Sequence, residues 1–512
     1  MTKQKRGNII QESFQYFSSQ IIQQGVNIIR GVILPNILSP FHFGIVATLS
    51  LVERYSIYAN LGIHSANLYQ IPAKRVQGDL EESERIKNHV YSFSILTGGL
   101  AVLLILLGAF LNAGRISKEI FWGLLIVSMT PLLIAVRGVY MTLLRADKEF
   151  NILSTATLLM STLGAVLMIL MALKFKSYGV LLGEMIALVL VLCFIQNRVH
   201  FKFKFELVPQ KVVALLQFSI PIFFLVGLLH TFLLTLDRLM IVKWLGVQQV
   251  GYYAIGVTLS NLVLLFPMAI SVVLSTRVIE ECSRPGGNTE NILCQTTYLI
   301  AIFTSFLAAF LCFACPSIFK IVFPKYQAGI QSAMILPFAV YFEAIGFLPY
   351  YAMVGMGKMK SYILVTGVIA GVSYLLFNFM LREKNLLEIA LLMVVIYFLK
   401  NMTTLLFSAS VTMKNRRNIS KFILLPLLFI TFSAAISVFL NFIFPSPLNI
   451  PRKELLALFL LKSMILTVVY LPILFCFNKG TGLIRKTYEK CVEAVAMGEF
   501  LKRKVPPTAI QE

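Results

Sequence analysis

The stretch HTFLLTLDRLMIVKWLG, residues 230–246, sets Asp237 and Arg238 side by side in an otherwise apolar run. Neighbouring helix positions point about 100° apart, so each of the two charges is expected to face a partner of its own. The surroundings decide what those partners are. Of the 512 residues, 58% are hydrophobic and only 13% charged, with a mean hydropathy of +0.82. A soluble domain holds about a quarter charged residues. Runs of about 20 apolar residues, the length that crosses a bilayer as a helix, follow one another almost without pause. The chain reads as an all-α polytopic membrane protein.

Fourteen spans are expected, near 14–35, 41–72, 89–111, 119–144, 150–173, 178–197, 212–242, 250–276, 293–315, 329–354, 361–381, 386–413, 422–444 and 455–477. The first two carry Gln, Asn, Arg, Glu and His among their apolar residues. The opening MTKQKRGNIIQESFQYFSSQ is too polar after its basic residues for a cleavable signal, so the N-terminus is expected to be retained. With that terminus on the cytoplasmic side, the inner segments hold 28 Lys and Arg and the outer loops 11. The positive-inside rule then puts both termini in the cytoplasm. Most of the net charge of +22 then faces anionic lipid, and nucleic acid is not needed as a partner. The basic tail 479–512 spaces Leu483, Ile484, Tyr488, Val492 and Val495 as an amphipathic helix or forms a plain cytoplasmic stub.

The two halves repeat. LSPFHFG (38–44) lies between the first and second spans and LGVQQVG (245–251) between the seventh and eighth, at an offset of 207. LLRADKEF (143–150) and VGMGKMKSY (354–362) end the fourth and tenth spans, with Lys148 and Lys358 at an offset of 210. An even number of spans per unit makes the repeats parallel. The expected organisation is a six-helix lobe over 1–200, a second over 201–415, two additional helices over 416–478 and the tail.

Ten charges fall inside spans: Arg30, Arg54, Arg137, Arg238, Lys400 and Lys462 against Glu53, Glu184, Asp237 and Glu343. Each costs roughly 2.5–3.5 kcal/mol at mid-bilayer on insertion scales, so they are expected to turn inward. Lys400 and Lys462 read best as structural pairs or snorkelling residues. Arg keeps its charge on burial and offers a planar fork matched to phosphate, so Arg30, Arg54, Arg137 and Arg238 point to an anionic, phosphorylated cargo. Glu53, Glu184, Asp237 and Glu343 would balance those cations or carry a coupling proton. The 207 offset carries Arg30 onto Asp237, next to Arg238, which sets charge at matching depth in both units. His64 and His230 read as hydrogen-bonded packing residues before proton carriers.

Catalytic, metal and cofactor signals do not emerge. VGMGKM lacks the spacing and hydroxyl of a phosphate loop, and no H-E-x-x-H occurs. Seven cysteines are scattered, and Cys312 and Cys315 form a C-x-x-C inside an apolar helix, where small packing residues are the plainer reading. A membrane enzyme of envelope polysaccharide assembly would have little extramembrane room for a site.

LSPFHFG with YANLGIHSANLYQIPAKR (58–75), and LDRLMIVKWLGVQQVGYYAIGVTLSNLVLLFPMAISVVLSTR (236–277), resemble the MATE-like (MOP) superfamily that includes the Wzx polysaccharide flippases and the related MurJ lipid II flippases. Leu245, Gly246, Val250, Gly251, Tyr252 and Tyr253 carry the likeness best, which covers roughly residues 10–415. The resemblance implies a carrier in the bacterial cytoplasmic membrane. It would move undecaprenyl-diphosphate-linked oligosaccharide outward by alternating access through a cationic cavity, with the prenyl tail in lipid. A proton or sodium ion for coupling, and polysaccharide polymerase and export machinery as partners, belong to the same expectation. The alternative is a cation-coupled multidrug exporter of MATE type, whose cationic cargo suits a net acidic cavity instead.

Overall fold

The computed structural model describes residues 3–199, 201–283, 289–380, 385–413, 415–444 and 451–481. Most of the basic tail lies outside them. The described residues form helices and no strands. The first half comprises α1 (Lys3–Ile37), α2 (Pro40–Ser56), α3 (His64–Val76), α4 (Leu80–Leu111), α5 (Lys118–Val127), α6 (Thr130–Ala146) and α7 (Phe150–Arg198). After an extended segment come α8 (Pro209–Ser219), α9 (Leu225–Trp244), α10 (Val247–Ser260), α11 (Leu265–Ser283), α12 (Thr289–Ile321), α13 (Ile330–Gly355), α14 (Met359–Met380) and α15 (Leu386–Thr412). Two more helices, α16 (Arg416–Ile443) and α17 (Arg452–Thr481), follow and pack on α12.

Ten helices among the described residues are long and apolar enough to cross a membrane. The expected fourteen differ for local reasons. Helix α1 and the run 40–76 carry too many polar residues to qualify on hydropathy, and the apolar core of α17, Leu456–Pro472, is short. The expected spans 150–173 and 178–197 are both present, as two arms of α7 that fold back on each other at Lys176 (φ 52, ψ −127) and pack so closely that a methyl on Gly179 would meet the Met171 carbonyl; together they are one of the ten. The expected span 41–72 is interrupted at Leu61 (φ 51) and Gly62 (φ 79).

Helix starts are written locally. The side chains of Ser39, Asp79, Ser117 and Asn385 accept from backbone N–H groups of the first turns of α2, α4, α5 and α15, which satisfies donors that have no partner within the helix. Pro40 follows Ser39 at the first turn of α2, where its missing N–H costs nothing. Helix α4 leaves Leu96, Leu100, Leu103, Leu104 and Leu107 exposed on one stripe. So wide an apolar face is stable only against lipid. The opposite extreme is α13, the most buried of the ten, enclosed by α11, α12 and α15.

Two features tie the halves together. Helices α2 and α10 cross at Gly44 and Gly251, which are 207 residues apart, and the contact is reciprocal: a methyl on Gly44 would run into the Val247 carbonyl and one on Gly251 into the Pro40 carbonyl. The turns after α6 and α13 also match. Lys148 and Gly357 both have positive φ (63 and 67), and the N–H groups of Asp147, Lys148 and Glu149 bond back to Leu143, Arg145 and Leu144 as those of Met356, Gly357 and Lys358 do to Ala352, Val354 and Met353. This structural register is 209, one residue from the offset that aligns the two lysines.

The extended segment 201–208 is strapped to α4. Lys204 N–H donates to Asn88 Oδ1 (3.1 Å), Glu206 N–H to Ser92 Oγ (2.9 Å), and Phe203 stacks on Tyr91 with ring centroids 4.1 Å apart. Side chains here supply the partners that a neighbouring strand would otherwise give.

Candidate functional site

A cavity of about 740 Å3 lies between α1, α2 and α7 on one side and α9, α10 and the 3-10 turn Asn261–Leu264 on the other. Its charged lining consists of Arg30 from α1, Glu53 and Arg54 from α2, Glu184 from α7 and Arg238 from α9. Helical spacing brings them together: Arg30 lies one turn before Leu34, which is buried against α7, and Glu53 and Arg54 fall near the end of α2 just before the chain breaks at Leu61.

None of the three lining arginines is locked to a lining carboxylate. The partner of Arg30 is the Met168 thioether, with Nη1 3.5 Å from Sδ. Neither Arg30 nor Arg54 has a carboxylate oxygen within 4.0 Å among the described residues. Arg238 curls along its own helix, its Nη2 donating to the Leu234 carbonyl at 2.7 Å. Buried Glu53 Oε1 has no hydrogen-bond partner among the described residues. Three cations and two carboxylates therefore share the cavity.

Asp237 does not line it. Its Oδ1 accepts the backbone N–H of Arg238 (2.7 Å) and lies 3.5 Å from Arg238 Nε, with Tyr253 and Tyr397 beside it. The expectation that Asp237 and Arg238 face separate partners is corrected here. A short side chain folds onto the next peptide while the long one bends back toward it, which the 100° separation of Cβ directions does not prevent. Arg137 sits on α6 outside the lining, half-buried and within electrostatic range of Glu184.

Glu343 belongs elsewhere. Lys400 Nζ donates to both its carboxylate oxygens at 2.9 and 2.8 Å, Asn401 Nδ2 donates to Oε2 at 3.1 Å, and His230 Nδ1 stands 3.2 Å from Lys400 Nζ. This network lines a second cavity of about 260 Å3 between α9, α13, α14 and α15. Lys462 donates to Asn441 Oδ1 at 2.9 Å, between α17 and α16. His64 contacts Asn60 at 3.0 Å and Ser94 at 2.9 Å, as a packing residue does.

The large cavity is bounded at both ends by contacts across the halves. At one end Tyr326 Oη donates to the carbonyls of Pro35 (3.0 Å) and Leu38 (3.3 Å), beside the Gly44–Gly251 crossing. At the other, hydroxyls meet in pairs, Tyr55 with Thr235 (2.8 Å), Tyr58 with Thr231 (2.7 Å) and Ser65 with Ser219 (2.8 Å). Sequence reasoning missed these pairs. The only signal is spacing, since Tyr55 and Tyr58, like Thr231 and Thr235, share one face of a helix.

Residues 33–331 match the pattern of the polysaccharide biosynthesis protein family. The chain belongs to that family. Its members are the Wzx-like flippases. No curated protein matches it in sequence. Among solved structures, the lipid II flippase MurJ in an inward closed conformation is similar with a TM-score of 0.66 at 14% identity, over 90% of this chain and 99% of that one. An inward-facing multidrug resistance MATE family transporter of the MOP superfamily gives 0.61 at 15% identity over 78% and 95%, and an outward-facing one 0.53 at 17% over 81% and 96%. This member of the polysaccharide biosynthesis protein family is thus a multi-pass membrane protein with the MATE-like fold, of a family of flippases and not of enzymes.

Proposed function

We propose that the protein moves undecaprenyl-diphosphate-linked oligosaccharide across the bacterial cytoplasmic membrane, with both termini cytoplasmic and two six-helix lobes, 1–200 and 201–415, enclosing the path. The observation that carries the reading is the convergence of Arg30, Arg54 and Arg238 on one cavity, with Arg30 and Arg54 in no ion pair among the described residues and Arg238 paired only with Asp237 of its own helix, outside the lining. Guanidinium groups with unspent donors suit the oxygens of a diphosphate. Glu53 and Glu184 keep the chamber from becoming so cationic that it would hold its cargo, and Arg137 acts on it through Glu184. With the inside negative, outward movement of an anion is favoured by roughly 2.3 kcal/mol per charge per 100 mV. The excess of lining Arg over Glu disfavours the cationic cargo of a multidrug exporter.

The test is transfer in liposomes holding the purified protein, with lectin added outside to capture the lipid-linked sugar as it emerges. Replacing Arg30, Arg54 or Arg238 by Ala removes a charge-assisted contact of about 1.5–3 kcal/mol, so each variant is expected to be roughly 10- to 100-fold slower. Lys at the same positions recovers part of the rate. Wild-type transfer by all three Ala variants overturns the reading.

A further inference from the structure

The Glu343–Lys400 network is not merely a brace, because it forms the floor of the 260 Å3 cavity rather than closing it. Its walls are aromatic: Phe223 and Phe347, with Tyr350 in ring contact with both Tyr351 and Tyr362, its centroid 5.3 Å from that of Tyr351 and 5.1 Å from that of Tyr362. Rings beside a carboxylate would ordinarily suggest a cation. Here the cation is already built in. Both Glu343 oxygens are taken by Lys400, and Lys400 spends its remaining donor on His230.

That last contact fixes the chemistry of the imidazole. An ammonium only donates, so His230 Nδ1 is the acceptor, and the neutral ring carries its proton on Nε2. His230 is half-exposed and lines the cavity, so it presents one N–H donor there. The carboxylate keeps lone-pair capacity beyond the bonds from Lys400 and Asn401. The pocket therefore offers flat aromatic faces, a donor, an acceptor and no net charge. This suits an uncharged polyhydroxylated ring, whose C–H edges, partly positive, rest on the negative faces of the aromatic side chains while its hydroxyls reach the floor.

We propose that this second cavity is a subsite for one uncharged pyranose ring of the glycan, separate from the arginines that hold the diphosphate. The inference rests on the reading of the cargo as a lipid-linked oligosaccharide. Position supports it. Tyr58 packs on Gly227, which lines the small cavity, and follows Ile57, which lines the large one, so the Tyr58–Thr231 pair stands between the two. At about 260 Å3 the subsite is just smaller than the usual site for a drug-sized molecule and admits a single ring rather than a whole repeat unit.

The experiment measures saturation-transfer NMR on the full chain in detergent with lipid-free methyl glycosides of glucose, galactose, N-acetylglucosamine and N-acetylgalactosamine. Inorganic pyrophosphate binding is followed in parallel. At least one glycoside is expected to bind saturably and to stay bound with pyrophosphate at saturation. Tyr351→Ala and His230→Ala should each weaken it about tenfold without altering pyrophosphate affinity. Both variants are checked for wild-type helix content, and Tyr351→Phe, which keeps the ring, should retain binding. If no glycoside binds, if both Ala variants bind as wild type does, or if pyrophosphate displaces the sugar, the subsite is refuted while the diphosphate reading stands. Loss of pyrophosphate binding in the wild type would instead sink the proposed function.

Discussion

Replacing Lys400 by Met strands a carboxylate in the interior of α13. Lys400 and Glu343 are 3% and 6% exposed, with Nζ 2.8 and 2.9 Å from the two oxygens. At an effective dielectric of 20 their attraction is about 6 kcal/mol, and desolvation of several kcal/mol per ion largely offsets it. The intact pair therefore adds little net stability, whereas removing one member costs about 3–5 kcal/mol, since only the Asn401 amide and His230 remain near the other. Met fills most of the space of the lysine stem, so the loss is electrostatic. The double variant Glu343→Gln, Lys400→Met removes both charges, keeps an acceptor for Asn401 and is expected within about 1 kcal/mol of the wild type. Unfolding in mixed micelles titrated with dodecyl sulfate, followed by circular dichroism, gives the four corners of the cycle. If the single Lys400→Met and the double variant unfold together, the cost comes from packing and the stranded-charge argument fails.

Three further outcomes follow from the geometry. Gly44→Ala and Gly251→Ala each put a methyl against a backbone carbonyl that cannot swing away, costing about 1–3 kcal/mol and widening that crossing; unchanged reactivity of a cysteine placed at Thr258 in the large cavity would contradict this. The double variant Tyr55→Phe, Tyr58→Phe removes two hydroxyl pairs worth about 1 kcal/mol each, so the opposite end should open more often, read as faster labelling of a cysteine at Ser50; equal labelling refutes it. Lys148→Gly relieves a non-glycine residue at φ 63 and is expected to stabilise by about 1 kcal/mol in the same micelle titration, a destabilisation counting against the strain.

Hydropathy made the membrane class legible, because apolar runs of about 20 residues admit little else. It also separated the two arms of α7, because Lys174, Lys176 and Ser177 interrupt the apolar run where the chain turns, but α1 and α2 hide behind the polar residues that line the cavity. The motif around Gly44 and Gly251 was visible as a repeat, although its meaning, two backbones in contact, required both helices in place. For the site, inward-facing Arg30, Arg54 and Arg238 could be argued from the cost of charge in lipid. Which carboxylate each would meet could not. Glu343 was grouped with those arginines because a one-dimensional pattern records depth but not direction around the bundle, and Lys400, 57 residues on, is its partner across α13 and α15. Asp237 faces its own neighbour for the same reason of rotamer, not of spacing.

The contact between Arg30 and Met168 has a kinetic consequence. A thioether sulfur is a poor acceptor, so this guanidinium gives up almost nothing when phosphate oxygens arrive, and recovers almost nothing when they leave. No carboxylate in contact with it has to be evicted on the way in, and none returns to speed the way out. Such an anchor keeps its donors for the cargo, and the tilt of the surrounding helices, which brings the oxygens within its reach or takes them out of it, decides when it lets go.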